Sequence, residues 1–222
     1  MKKNNNLKIK VSTFVFKNTM VFVSKEWASF DEREQNNKSR KALKNELSAQ
    51  VRIYKKIQKR HALYRTKNMP QFSNSLKLYT SISHTKKLGG FAISTERIGL
   101  DIESITRTLS PKAEKWLKNI KDKSNFTPID LWVAKETAWK AIPQKWQPTV
   151  ISKVSINSTQ IQQNSRLPLI KVKSQKIKSQ KNRAVKNFLF SVKYKGIQIK
   201  GRGTLWRHSR FILGIAVAAS KL

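Results

Sequence analysis

Not one Asp or Glu follows Glu136; residues 137 to 222 hold no acidic side chain at all. Any metal site built from carboxylates must therefore be assembled from the first 136 residues. Over the whole chain 47 Lys and Arg face 12 Asp and Glu, a formal net charge of +35. An excess of that size favours binding to polyanions and speeds encounters with acidic partners. Nucleic acid is the broad reading of such a charge, and an acidic protein or a polyphosphate ligand the narrower one.

The chain is long enough, at 222 residues, for one ordinary domain or two small fused ones. Six Trp, ten Phe and four Tyr argue against disorder. The absence of Cys excludes a disulfide framework, a thiolate metal site and a thiol nucleophile, and suits a reducing cytosol. No stretch approaches the ~20 apolar residues of a membrane span. The longest apolar run, FILGIAVAA at 211–219, suits a buried strand. MKKNNNLKIK has a basic start but no apolar segment behind it, so no secretion signal is expected and a cytoplasmic location is. Ser220-Lys221-Leu222 spells a peroxisomal address, a three-residue match that a Lys-rich chain reaches by coincidence.

Alternation predicts strands over 7–16, 21–23, 78–84, 90–95 and 97–102. Between Asp31 and Lys59, Leu43, Leu47, Val51, Tyr54 and Ile57 recur at helical spacing, with acids early and bases late. Ser110-Pro111 opens a short helix expected to run through Ile120, and Thr127-Pro128 opens a second that Pro143 ends. Further strands are expected at 150–156, 167–172, 187–194, 197–200 and 211–219, with a basic, solvated segment at 171–186. This order implies an α+β protein with two halves of similar make-up.

Three short motifs carry candidate chemistry. In a strand over IGLDIE, Ile98, Leu100 and Ile102 point one way while Asp101 and Glu103 share the other face. Two carboxylates on one face repel unless a cation or a proton holds them; Mg²⁺ suits such oxygen ligands. A wet strand end is the plainer account of the same pair. In the second motif, LWVAKETAWKAI, Trp132, Glu136 and Lys140 fall on one stripe of a helix, with Lys135 and Trp139 beside it. That stripe is either a surface Glu–Lys pair worth ~0.2–0.5 kcal/mol, beside core aromatics, or a third carboxylate with a cation for phosphate. The third motif is SISH at 81–84, where Ser83 and His84 end a strand and can meet phosphate oxygens.

Taken in order, SISHTKKLGGFAISTERIGLDIE and then LWVAKETAWK resemble the 4′-phosphopantetheinyl transferases, with Thr137 a mild departure beside Glu136. The match is clear over 78–142, looser over 38–77, and rests on strand pattern beyond 150. Members of that family move the phosphopantetheine arm of coenzyme A onto a Ser hydroxyl of a carrier protein and release adenosine 3′,5′-bisphosphate. The resemblance implies that Asp101, Glu103 and Glu136 surround Mg²⁺, and that Glu136 is the base for the incoming hydroxyl. It implies that Lys140 neutralises the diphosphate and that Ser83 and His84 contact the nucleotide phosphates. It places Arg40, near the start of the long helix, on the nucleotide, and Pro70 in a coenzyme-binding loop. That loop lacks the family's Gly and Lys here, since Asn68 and Met69 precede Pro70; Lys67 stands in for the lost charge.

Length implies the larger, pseudo-dimeric (surfactin-synthetase-activating) branch. Its two similar α/β halves, each a small mostly antiparallel sheet on a long helix, would span 1–104 and 105–222 with the site at their junction. A monomer that docks an acidic acyl or peptidyl carrier is the corresponding expectation. Two alternatives stand beside this reading. A basic nucleic-acid-binding protein without activity explains the charge and the Lys-rich 171–186 segment, but not three carboxylates and a His in this order. A degenerate transferase is suggested only by the altered loop at 68–70.

Overall fold

The computed structural model describes residues 12–16, 19–25, 45–46, 48–49, 78–159 and 184–219. Within them the chain forms strands β1 (Ser12–Phe16), β2 (Thr19–Ser24), β3 (Tyr79–His84), β4 (Gly89–Ser94) and β5 (Ile98–Ser104). Helices α1 (Pro111–Leu117) and α2 (Pro128–Ala141) follow, and then β6 (Ser155–Ser158), β7 (Ala184–Tyr194), β8 (Ile197–Arg207) and β9 (Phe211–Ala218). The architecture is α+β, with two antiparallel sheets and the two α-helices α1 and α2. The amphipathic helix expected over 31–59 lies outside the described residues except for Asn45, Glu46, Ser48 and Ala49, which are helical. The strand expected at 167–172 and most of the basic segment before Ala184 also lie outside them.

One sheet has the order β1-β2-β4-β3 and the other β5-β9-β8-β7-β6, every pair antiparallel. Period-two alternation decides how they stack. Ile98, Leu100 and Ile102 of β5, with Leu213, Ile215 and Trp206, meet Val21, Val23 and Ala92 of the first sheet. The opposite face of the second sheet, through Phe188, Phe190, Ile212 and Ala216, buries Leu131, Val133, Ala134, Ala138 and Ala141 of α2. A third cluster of Phe22, Phe91 and Ile93 lies on the first sheet, where the two rings stack at 4.8 Å. Each large side chain buried in this way contributes about 1.5–3 kcal/mol.

Helix starts follow their caps. Ser110 accepts from the Ala113 amide and Thr127 from the Asp130 amide, with Pro in the first turn of each helix. Helix α1, expected to reach Ile120, stops at Leu117. The reason is local competition for the backbone: Asn119 Oδ1 accepts from Lys121 N and Asp122 Oδ2 accepts from Asn119 N.

Residues 150–154, expected as strand, form a 3₁₀ turn over Ile151–Lys153, and β6 begins only at Ser155. The turn aims the Ser152 and Val154 carbonyls at a buried ammonium, that of Lys135. Strand β8 continues past Lys200 to Arg207 because Gly201 and Gly203 lie under the Phe190 and Phe188 rings, where any Cβ would collide. Lys186, assigned from sequence to the solvated segment, is inside β7.

Candidate active site

Strand β5 holds the site between two elements. One of its edges pairs with β9, and the other meets serine hydroxyls of β3. Ser81 Oγ accepts from Leu100 N at 2.9 Å, and Ser83 Oγ accepts from Ile102 N at 3.1 Å. The S-x-S spacing sets both hydroxyls on the same side of β3, so they replace the strand partner that this edge of β5 lacks. Ser83 spends its own proton on Asp101, its Oγ donating to Oδ1 at 2.9 Å. His84 follows at the end of β3, half-buried and in register with Gly89.

Across β5, Gly99, Asp101 and Glu103 share the face that looks toward α2. A Cβ at Gly99 would lie 1.9 Å from Thr137 O and 3.0 Å from Lys140 Cβ, so only glycine lets the helix come this close. Thr137 turns into the packing, fully buried, and its hydroxyl donates to Val133 O. Glu136 and Lys140 are thereby rotated onto the half-exposed stripe of α2 together with Trp132.

Lys140 Nζ donates to Asp101 Oδ1 at 2.8 Å and lies 3.2 Å from Glu136 Oε1. It therefore ties the strand to the helix through one ammonium. Asp101 is 3% exposed, and its second oxygen, Oδ2, is buried with no hydrogen-bond partner among the described residues. Glu103 pairs with Arg107, whose guanidinium lies 4.6 Å over the Trp132 ring.

Burial and neighbouring charges act on these groups in different directions. Burial pushes the Glu103 carboxyl above its usual range; Arg107 opposes the shift, while Asp101 and Glu136 add to it. Burial and then Asp101 push Glu136 up as well, against the pull of Lys140. Burial alone would lower Lys140, but Asp101 and Glu136 outweigh it and its pKa is raised. A further cation would favour the charged forms of Glu103 and Glu136.

The sequence-derived residues divide into three groups. Ser83, Asp101, Glu136 and Lys140 form one bonded network, and Glu103 lies within electrostatic reach of Asp101 and Glu136. His84 adjoins that network along β3. Arg40, Lys67 and Pro70 lie outside the described residues.

Other participants were missed. Ser81 carried a signal in its spacing from Ser83, whereas Arg107 carried almost none, because it reaches Glu103 only through the turn after β5. Trp139, grouped with the core aromatics, is half-buried and donates from Nε1 to Pro148 O.

Among the described residues no three His, Asp or Glu side chains already converge as ligands on one point. The side chains nonetheless suit a divalent cation by two tests: an orphaned carboxylate oxygen at Asp101, and a trio of mutually repelling acids. Comparison with models of known protein families and with curated proteins gives no match for this chain.

Proposed function

We propose that the chain is a 4′-phosphopantetheinyl transferase that loads an acidic apo carrier protein from coenzyme A. The observation that supports this most is the Ser83–Asp101–Lys140–Glu136 network, with Asp101 Oδ2 left without a partner among the described residues. A buried carboxylate oxygen with nothing to accept is costly unless a ligand completes it.

In this reading Asp101, Glu103 and Glu136 would hold Mg²⁺, which when bound would stabilise negative charge on the diphosphate. The carrier's Ser hydroxyl forms a new bond to the phosphorus that bears the pantetheine arm. The bond from that phosphorus to the bridging diphosphate oxygen breaks, and adenosine 3′,5′-bisphosphate leaves. Glu136 takes the hydroxyl proton, directly or through a water, and its upward shift brings its proton affinity nearer to that task. Lys140, held cationic by its two carboxylates, neutralises the leaving phosphate. Ser83 fixes Asp101, and His84 is placed at the strand end to meet the nucleotide's phosphate. Arg40 and Lys67 would supply the remaining nucleotide contacts.

The pseudo-dimeric form of the family belongs to the same proposal. It gives each half a sheet and a long helix, and puts their junction at the turn after β5.

A second reading, a basic nucleic-acid-binding protein, is favoured by one specific surface. Trp116 is 53% and Ile120 100% exposed, amid the exposed Lys112, Lys115, Lys118 and Lys121. An aromatic face between cations is a stacking platform for bases.

One experiment separates the two readings. The protein is mixed with coenzyme A, Mg²⁺ and apo carrier proteins, and the carrier is weighed for the phosphopantetheine increment. Transfer that requires the metal and disappears in Asp101→Ala and Glu136→Ala is the expected result. No transfer to several carriers, with tight and salt-sensitive RNA binding unaffected by those substitutions, would replace the first reading with the second.

A further inference from the structure

We infer that Arg107 is a positioning residue of the metal site, holding Glu103 in place while resting on the Trp132 ring. The inference rests on the transferase reading above and adds two residues, Arg107 and Trp132, to which that reading gives no role.

Geometry leads to it. Glu103 sits where β5 emerges from the core, and a carboxylate at such a position is otherwise free to turn into solvent. The chain then folds back: Arg107 N donates to Ser104 O at 3.1 Å, and the Ser104 and Thr106 hydroxyls lie 2.8 Å apart. This turn returns the Arg107 side chain over the strand end, where Nη1 pairs with Glu103 Oε1. The planar guanidinium lies over Trp132, one helical turn before Glu136 on the same stripe of α2. The indole cannot easily move, since its Nε1 is buried and the ring packs against the helix-side core.

Two cations thus bind β5 to α2 at two levels. Lys140 does so at Asp101 and Arg107 at Glu103, with Glu136 between them along the helix. They differ in kind. Lys140 Nζ lies between Asp101 and Glu136, where a metal would compete with it. Arg107 grips one oxygen of Glu103 from the outer side, and so fixes the direction in which the other oxygen points. Outer partners of this sort orient a metal-binding carboxylate, and their loss typically weakens metal binding ~10–100-fold. Lysine at 107 keeps the charge but loses the flat fork that lies on the indole.

The test titrates Mg²⁺ alone into the full chain by calorimetry, and then measures transfer as a function of Mg²⁺. Arg107→Ala is expected to weaken Mg²⁺ binding about tenfold or more. Its maximal transfer rate should return when the metal is raised in proportion, a recovery that a merely structural defect would not show. Arg107→Lys should recover part of the affinity, and Trp132→Leu should lose about threefold, the size of an exposed cation–π contact.

Mg²⁺ affinity unchanged or tighter in both Arg107→Ala and Arg107→Lys would overturn the positioning role and leave the transferase reading standing. A wild-type chain that binds no Mg²⁺ would overturn both together.

Discussion

Two lysines on α2, five residues apart, each pair with an aspartate, and they do opposite things. Lys135 is fully buried, its ammonium 2.8 Å from Asp122 Oδ2 and bonded to the Ser152 and Val154 carbonyls. Asp122 is equally complete, since its oxygens also accept from the Asn119 and Ile156 amides. Lys140 is half-exposed and shared between two carboxylates, one of which keeps an oxygen with no partner among the described residues. Burial holds the first ammonium below its ordinary pKa despite Asp122, whereas the carboxylates hold the second above it despite burial. A closed pair of this kind fixes structure, whereas an open one leaves a valence for a ligand. Adjacent residues, Lys135 and Glu136, thus serve the fold and the site respectively because a helix turns ~100° between them.

The comparison fails first if Lys135 proves dispensable. Lys135→Met should cost about 3 kcal/mol or more in urea unfolding, because Asp122 is left charged and buried. Transfer per folded molecule should fall far less than it does in Asp101→Ala.

A smaller effect is expected at Asp130, where Lys186 and Arg207 both donate to a buried carboxylate whose pKa is lowered against the cost of burial. Asp130→Asn should cost about 2 kcal/mol at neutral pH. A depressed carboxylate contributes stability above its unfolded value of about 4 and loses it as pH falls through the folded one. The difference between wild type and Asp130→Asn should therefore close in acid, and a gap that persists to pH 2 would refute the pairing.

The smallest effect belongs to Lys140→Met, about 1–1.5 kcal/mol in stability, since the buried Asp101 keeps the Ser83 hydroxyl and Glu136 can reach water. Alkaline titration sharpens the contrast between the two lysines. Lys135 holds its proton less firmly folded than unfolded, so its contribution to stability grows as pH rises toward about 10.5. Lys140 holds its proton more firmly, so its contribution is complete below that value and declines as pH rises through the raised one. Unfolding curves of the two Met variants against wild type from pH 8 to 11.5 should diverge in opposite senses. Parallel curves would mean that the two pairs are alike.

Much of the site was legible because its motifs have the periods of their elements. S-x-S and D-x-E alternate as strands do, and Trp132, Glu136 and Lys140 step by four as a helix does. Ser110 and Thr127 announced their helices through cap chemistry. What could not be read were partners drawn from afar. Nothing near Lys135 points to Asp122, and nothing near Asp130 points to Lys186 and Arg207. The same blindness explains the missed 3₁₀ turn at 151–153, where Val150, Ile151 and Val154 look like strand until a buried ammonium needs the Ser152 and Val154 carbonyls. Gly201 and Gly203 likewise read as breaks until the rings of β7 lie over them.

The confinement of every acid to residues up to Glu136 has a consequence in time as well as in space. A ribosome releases the chain from its N-terminus, so all twelve carboxylates have been made before Lys186 or Arg207 exists. The final strands carry cations as their only charged side chains, and two of these, Lys186 and Arg207, complete Asp130 at the head of α2. Slowing synthesis between residues 142 and 184 should then leave Asp130 waiting for its bases, while Asp101, Glu103, Asp122 and Glu136 already have Lys140, Arg107 and Lys135 in the chain.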